Sequence, residues 1–270
     1  MKLILVGIDF SKSSLNAARY AATIASKCNY GLLIFHTFDA PVVHSNSGLY
    51  FVSYKGLKET SERKMEKFIT GLQAEFQKLK ISYFSTSGSF TNEIEVLLAK
   101  QDIRLVVLGM KVKDKISKFI YGSHSTDIAG KVDAPVIIVP EKYTDALISK
   151  IVLAVDTKAS ISASAKRQIS SFVELLKAKL EVLHVRTPGE LLLERKKDVL
   201  KIGKFRYTIH SVSAKDLQDG LASYTKANKN NLIVILSREH SFLYNLFNER
   251  NTNKIAFSSK IPVLSIHESI

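Results

Sequence analysis

Two copies of one short motif decide the fold: ILVGID at residues 4–9 returns as IVLAVD at residues 151–156. In each copy the motif is followed by an amphipathic stretch and then by a second apolar run, which ends in His36 or in His184. The aspartate of the motif and this histidine are 27 residues apart in the first copy and 28 in the second. Self-similarity at such a long period indicates a duplicated structural unit.

The repeat continues through two later pairs of apolar runs, which are residues 104–109 with 232–237 and residues 134–139 with 261–266. Continuous β-branched runs of this length are typical of strands buried on both faces, and helical periodicity between them supplies the crossovers. We therefore predict that each half is a parallel α/β sheet, with helices in the crossovers. A polar stretch near residues 141–145 separates them, so the expected domains are residues 1–147 and 148–270.

The sequence also indicates the structure of the connections between the strands. Apolar periodicity predicts helices over residues 56–79 and 91–100, the second with Thr91 as its N-cap, and a matching helix over residues 214–227 after Ser213. Residues 39–54 form a connection longer than is usual in a compact α/β unit. Two interpretations of it stay open, a mobile surface loop and a lid near the ligand face.

Composition restricts the class of protein. Hydrophobic residues at 46% and charged residues at 24% exclude a disordered or coiled-coil chain. Cys28 is the single cysteine, which excludes an internal disulfide. No apolar run reaches the roughly 18 residues that cross a bilayer, and the first apolar run follows only one basic residue and ends at Asp9, as a strand rather than a signal peptide does. We expect a cytoplasmic protein that does not bind membranes.

The chain is strongly basic, with 39 Lys and Arg residues against 25 Asp and Glu, a net charge of +14. Residues 1–147 hold 19 basic and 14 acidic residues, a net of +5, and residues 148–270 hold 20 and 11, a net of +9. The densest basic stretch, from Arg195 to Arg206, could contact phosphates. No zinc, helix-turn-helix or RNA-binding signature accompanies it, so we interpret it as a solvated helix end and do not expect nucleic acid as a partner.

Ligands of open parallel sheets bind beyond the carboxyl ends of the strands, which here are marked by Asp9, Thr37 and Gly109. The carboxylate of Asp9 can accept hydrogen bonds from a ribose hydroxyl or an adenine amine. An equally simple interpretation is that Asp9 caps the following helix.

A glycine-bounded loop follows the third of these positions, GMKVKDKISKFIYGSHS at residues 109–125. Glycine allows a close approach of the backbone to phosphate, and the helix that begins after Gly122 offers free N–H groups. Ser123 and Ser125 add hydroxyl donors. In the alternative interpretation no ligand binds, and Gly122 and Ser123 only mark the start of that helix.

Together these residues resemble the universal stress protein family, in a tandem two-domain form. The resemblance rests on GIDFS at residues 7–11, His36, the glycine loop and APV at residues 134–136. Nucleotide-binding members of the family carry the pattern Gly-x2-Gly-x9-Gly-Ser/Thr in this loop. The resemblance implies two tandem Rossmann-like α/β domains, like those of the adenine nucleotide alpha hydrolases, each a five-stranded parallel sheet with helices on both faces. It also implies that ATP or AMP lies across the strand ends, and it leaves open whether a divalent metal accompanies the nucleotide.

The resemblance also implies roles for single residues. The adenosine part would lie against Gly7, Ile8, Asp9 and Thr37, the ribose and first phosphate against Leu108 and Gly109, and the outer phosphates against Gly122, Ser123, His124 and Ser125. Val112 stands where the pattern has its second glycine, and its β-branched side chain disfavours a close phosphate approach. Four lysines between residues 111 and 118 either hold the phosphates instead or form a solvated basic loop.

The loop of the second half has lost these features. Ser237 stands in the place of Gly109, His240 in that of Val112, and Arg250 with Asn251 in that of Gly122 with Ser123. Asp156 alone is retained. We therefore predict that residues 148–270 are mainly structural.

No residue is assigned a catalytic or metal-binding role, because the sequence has no Walker-type loop, nucleophile elbow or zinc-ligand spacing. The leading hypothesis is a stress-response regulator that binds an adenine nucleotide in its first half. The alternatives are a protein-interaction scaffold without nucleotide and a slow ATP hydrolase. The resemblance implies that residues 136–139 and 263–266 pair to form an intramolecular pseudo-dimer, and a homodimer of whole chains is left open.

Overall fold

The computed structural model describes residues 1–38, 54–111, 128–129, 132–155, 160–188, 199–237 and 260–268. The first half contains β1 (Leu3–Gly7), α1 (Lys12–Cys28), β2 (Gly31–Phe38), α2 (Tyr54–Glu75), β3 (Ile81–Ser87), α3 (Phe90–Lys100), β4 (Ile103–Met110) and β5 (Val136–Pro140). The second half contains β6 (Lys150–Ala154), α4 (Ala163–Leu176), β7 (Lys179–Arg186), β8 (Val199–Ile202), β9 (Phe205–Ser213), α5 (Leu217–Asn228), β10 (Leu232–Ser237) and β11 (Val263–His267).

The strands form one sheet in the order β3-β2-β1-β4-β5-β11-β10-β6-β7-β9-β8. Within each half five strands run parallel: β1 lies between β2 and β4, and β6 lies between β7 and β10. The predicted fold class, a pair of parallel α/β units, is confirmed. The sequence reasoning missed β8, which pairs antiparallel with β9 and adds a sixth strand to the second half.

The two halves meet through their last strands. β5 and β11 pair antiparallel, with Ile137 opposite Leu264 and Ile138 opposite Val263. These residues lie within the ranges expected from the sequence to pair. The sheet therefore continues from one half into the other through backbone hydrogen bonds.

Helices cover both faces of the sheet. α1 carries buried alanines at positions 17, 18, 21, 22 and 25, which let it approach β4 and β1 closely. α1, α2 and α4 cover the same face of the sheet and share one buried cluster. This cluster includes strand residues of both halves: Ile4, Val107, Leu153 and Leu264. On the opposite face, α3 and α5 cover separate clusters. The sheet is thus buried on both sides, as its continuous apolar strands predict.

The predicted helices are present with shifted ends. α3 is preceded by Ser89 at the N-cap position, with no side-chain capping bond, so the prediction of Thr91 as N-cap is wrong. α5 begins after Asp216, whose carboxylate accepts a hydrogen bond from the Asp219 N–H at 2.8 Å. Among the described residues, no helix is long and apolar enough to cross a membrane.

The basic stretch of the second half is not a helix end in its described part. Lys201 lies in β8, Lys204 in the turn after Gly203, and Arg206 in β9. Gly203 has a φ of 57°, which suits the tight turn of this hairpin. The helical interpretation of residues 201–206 is therefore wrong, and Arg195–Lys197 lie outside the described residues.

The segment between β5 and β6 is held by side-chain amides. The amide nitrogen of Asn16 donates to the carbonyl oxygens of Pro140 at 3.2 Å and Tyr143 at 2.8 Å. The Tyr143 hydroxyl donates to the carbonyl oxygen of Asn231 at 3.3 Å. The side-chain oxygen of Asn231 in turn accepts hydrogen bonds from Ser149 and from the Lys150 N–H.

Candidate functional site

The carboxyl ends of β1, β2 and β4 meet at one edge of the first-half sheet. Gly7 ends β1 and lies opposite Phe35 of β2 on one side and Leu108 of β4 on the other. The structure therefore brings together six of the predicted site residues, which are Gly7, Ile8, Asp9, Thr37, Leu108 and Gly109. The other five predicted residues, Val112, Gly122, Ser123, His124 and Ser125, lie outside the described residues.

Asp9 presents an exposed carboxylate directly after β1. Its Oδ1 atom accepts a hydrogen bond from the Ser11 N–H at 2.9 Å, and its own N–H donates to Ser14 Oγ at 3.2 Å. Partial burial raises the pKa of Asp9, but the hydrogen bonds from Ser11 and Ser14 outweigh it and leave the pKa below its ordinary value. The carboxylate is ionised at neutral pH.

The helix after Asp9 is capped by a serine rather than by the aspartate. Ser11 is the N-cap of α1, and its hydroxyl accepts from the Ser14 N–H. Ser11 Oγ also lies 3.0 Å from Ser13 Oγ and 3.3 Å from Ser14 Oγ, and the last two side chains are buried. Asp9 therefore does not cap α1, and its carboxylate stabilises only the turn that precedes the helix.

Gly109 lies against the first turn of α1. A Cβ atom at this position would collide with the carbonyl group of Ser13 and lie 2.7 Å from the Ser14 nitrogen. At Gly7, a Cβ atom would collide with the ring of Phe90 and lie 2.9 Å from Leu108 Cδ2. Packing against backbone thus requires a glycine at position 109, a reason that is independent of any ligand, whereas the contacts at position 7 are with the outer ends of side chains.

Phe10 holds a strained backbone conformation beside Asp9. Its φ of 61° is rare for a bulky residue and occurs mostly in tight turns and functional sites. The ring contacts His36 edge-on, with centroids 4.8 Å apart, and the Lys64 ammonium lies 5.8 Å from the Phe10 centroid. An aromatic pair and a cation therefore border the carboxylate.

His36 is fixed by the backbone of Ile8. Its Nδ1 atom lies 2.8 Å from the Ile8 carbonyl oxygen, and since a carbonyl only accepts, Nδ1 carries the proton. Burial lowers the pKa of His36 and outweighs the opposing effects of the Ile8 hydrogen bond and of Asp9. The ring is neutral at pH 7.

Sequence reasoning missed Phe10, Lys64 and the buried Ser13 and Ser14. The serine run after the strand was a usable signal for the last two, because hydroxyls cluster at helix N-termini. Phe10 gave no signal, since neither its propensity nor its hydropathy predicts a positive φ. Lys64 comes from α2, about fifty residues along the chain, and only the fold brings it here.

The second half reproduces the backbone of this site. The Val155 N–H donates to the Leu183 carbonyl at 2.9 Å and His184 Nδ1 lies 3.2 Å from the Val155 carbonyl, as the Ile8 N–H and His36 do in the first half. Asp156, the counterpart of Asp9, lies outside the described residues.

The start of α4 holds an acidic side chain of the same chain. α4 has 14 residues where α1 has 17. The N–H of its N-cap, Ser162, donates to the Glu268 carboxylate at 2.6 Å, and Glu268 is only 5% exposed. Glu268 follows β11, and its N–H donates to Ser237, the residue aligned with Gly109. The Glu268 carboxylate thus supplies, from within the chain, a negatively charged acceptor for a backbone N–H at the start of α4.

Metal binding has no preformed site in the part of the chain that the structure describes. No three His, Cys, Asp or Glu side chains there are arranged to hold a metal ion.

Structural comparison finds several similar proteins. A universal stress protein from Archaeoglobus fulgidus DSM 4304 aligns with 98% of this chain and 98% of its own, at 14% identity and a TM-score of 0.69. A protein of unknown function from Pseudomonas aeruginosa PAO1 aligns with 98% of this chain and 92% of its own, at 13% identity and a TM-score of 0.54. A universal stress protein solved in complex with cAMP aligns with 52% of this chain and 98% of its own, at 17% identity and a TM-score of 0.37.

Among curated proteins, no sequence matches this chain. The family model described as "Universal stress protein family" matches residues 1–140. Because that match covers more than half of the 270 residues, the chain belongs to the universal stress protein family.

Proposed function

We propose that the first half binds an adenine nucleotide, ATP or AMP, and that the protein regulates a stress response through its nucleotide-bound state. The observation that carries this proposal is the exposed, ionised carboxylate of Asp9 at the carboxyl end of the central strand β1. Parallel α/β sheets bind their ligands at this edge. Because the Asp9 carboxylate does not cap α1, it can accept hydrogen bonds from the hydroxyls of a ribose or from the amine of an adenine.

The surrounding residues suit the rest of such a ligand. The rings of Phe10 and His36 offer an apolar surface for a base, and neutral His36 adds no charge beside it. Gly7 and Ile8 would contribute backbone, with Thr37 beside the base and Leu108 and Gly109 beside the ribose. Lys111 is exposed directly after β4, where it would attract phosphates into the loop of Val112, Gly122, Ser123, His124 and Ser125.

The proposal assigns one nucleotide to each chain. In the second half the buried Glu268 carboxylate occupies the start of α4, and a nucleotide phosphate there would meet a like charge. This supports a mainly structural role for residues 148–270.

The test is a calorimetric titration of the full chain with ATP and with AMP. Asp9→Asn keeps an oxygen for the Ser11 N–H but loses the charge, and we expect it to weaken binding at least about tenfold. The matched control is Asp133→Asn, which removes the same charge from an exposed position just before β5, at the amino ends of the strands. Absence of binding at millimolar ATP and AMP would reject the proposal, and so would equal losses in both variants.

A scaffold without nucleotide is the second candidate function. Val112 favours it, because a branched residue replaces the second glycine of the family's nucleotide pattern. Gly109 also favours it, because packing against Ser13 explains that glycine without a ligand. Native mass spectrometry of the purified protein separates the candidates, since a co-purified nucleotide contradicts the scaffold. Binding that appears only after Val112→Gly would support it.

We further infer that the chain acts as an intramolecular pseudo-dimer. The equivalent last strands of the two halves pair antiparallel, as they would across a two-fold axis between identical subunits. The domain boundary near residue 147 and a homodimer of whole chains remain expectations from the sequence.

A further inference from the structure

Four cations lie at one end of four neighbouring strands of the second half, β8, β9, β7 and β6. Lys201 of β8 lies opposite Arg206 of β9, and Lys179 of β7 lies opposite Lys150 of β6. The pairing of β7 with β9 places Val182 opposite Ile209. Lys179 and Arg206 each lie three residues before this pair on their parallel strands, at the same end of the sheet. We call these four residues the basic row.

All members of the basic row lie on one face of the sheet. Ile151, Leu180 and Ile202 are buried in the cluster that α1 and α4 cover, and Tyr207 packs against the same cluster. Each member of the row is the neighbour of one of these residues along its strand. Because side chains alternate across a strand, the four cations share the opposite face, on the side of α5. The Lys150 ammonium accordingly donates to the Asn228 carbonyl at the end of α5, at 3.0 Å.

The row is poorly neutralised. Lys201 and Arg206 are both exposed, and like charges directly opposite each other in an antiparallel pair are destabilising. Within the described residues, the row has one ion pair, between Lys179 and Glu181 at 3.5 Å. The Glu181 carboxylate also accepts from Tyr224 and from Asn230. A net excess of positive charge is retained here at a cost in stability.

The first half lacks the row. The pair that corresponds to Lys150 and Lys179 is Leu3 and Gly31, which carry no charge. The row therefore does not follow from the fold. It belongs to the half with the larger net charge, +9 against +5.

We propose that the basic row binds the phosphate backbone of single-stranded nucleic acid, without sequence preference. Neighbouring strands are about 4.8 Å apart, so the four strands that carry the row span roughly 14 Å, a distance over which a chain of phosphates can meet several cations. Protein interfaces are depleted in lysine and enriched in aromatic residues, so an acidic protein is a poorer match. No nucleic-acid signature is visible in the sequence because the four cations come from four separate strands.

The row lies at the amino ends of β6 and β7, whereas nucleotide sites of such sheets lie at the carboxyl ends. The inference is therefore independent of the proposed nucleotide site. Either one can fail while the other holds.

The test is the fluorescence anisotropy of a labelled 20-nucleotide oligo-dT with the full chain, between 50 and 200 mM KCl. Four phosphate contacts at a slope of about −0.7 each predict that affinity falls about 50-fold over this range. Lys201→Gln with Arg206→Gln leaves two contacts and predicts a fall of only about 7-fold, together with weaker binding at 50 mM.

The matched control is Lys67→Gln with Lys78→Gln, which removes two exposed cations from the first half. It should leave the salt dependence unchanged. The inference is overturned if oligo-dT does not bind at 50 mM KCl, or if both double variants lose the same affinity. It is also overturned if poly-glutamate of equal charge competes as well as unlabelled oligo-dT, because the row then binds acidic protein. Circular dichroism confirms that each variant is folded.

Discussion

His36 Nδ1 donates to the carbonyl oxygen of Ile8 across 2.8 Å, and the same ring packs edge-on against Phe10. The neutral ring already carries the Nδ1–H group that makes this hydrogen bond. Burial holds the pKa of His36 below its ordinary value of about 6.5. A lowered pKa in the folded state means that the unfolded chain binds the proton more readily. The stability that this histidine contributes is therefore present above about pH 6.5 and is lost as the pH falls below it.

We expect His36→Asn to keep a donor for Ile8 but to remove the titration. Its free energy of unfolding at pH 7.5 should drop by about 1 kcal/mol through lost ring packing. The further decrease between pH 7.5 and pH 5.5 should be smaller than in the unmodified protein. Urea unfolding at both pH values measures this, with His210→Asn on exposed β9 as the control. An unchanged pH dependence would contradict the assignment of His36.

Gly109→Ala should destabilise the protein by about 2–3 kcal/mol, because the added methyl group meets the Ser13 carbonyl, a backbone group that cannot rotate away. The matched control is Gly71→Ala on α2, where an added methyl group meets no atom within 4 Å. That change should stabilise the helix by about 0.5–1 kcal/mol. Thermal unfolding of both variants tests the pair. If Gly109→Ala keeps its stability and loses only nucleotide binding, Gly109 serves the ligand rather than the packing.

Asn231→Ala should destabilise the start of β6. It leaves the Ser149 N–H, the Ser149 hydroxyl and the Lys150 N–H without their common acceptor, at a cost of about 2 kcal/mol. Tyr143→Phe removes only one hydroxyl donor and should cost about 1 kcal/mol or less. Urea unfolding followed by circular dichroism gives both values. Equal losses in the two variants would show that the Asn231 side chain does not hold the start of β6.

The parts of the fold that the sequence predicted correctly are those with a strong local signal. The duplicated motif with its terminal aspartate predicted the parallel sheets, because buried strands need continuous apolar runs. The hairpin of β8 and β9 was missed because Lys201, Lys204 and Arg206 hide its alternation and resemble a solvated helix. In the candidate site, Asp9 was identified from its place after β1. The positive φ of Phe10 and the approach of Lys64 depend on contacts that no local pattern contains.

Arg206→Glu should raise the stability of the protein, because it converts a repulsive pair with Lys201 into an attractive one. Cross-strand pairs of this kind change stability by about 0.5–1 kcal/mol, and for a chain of this size the melting temperature should rise by about 2–4 °C per kcal/mol. Arg206→Gln removes only the repulsion and should give a smaller rise. Adding Lys201→Glu to Arg206→Glu restores like charges and should cancel the gain, which closes a double-mutant cycle on this pair. A lower melting temperature for Arg206→Glu alone would mean that the two side chains do not face each other. A rise that coincides with loss of oligo-dT binding would show that the chain retains this repulsion for its ligand.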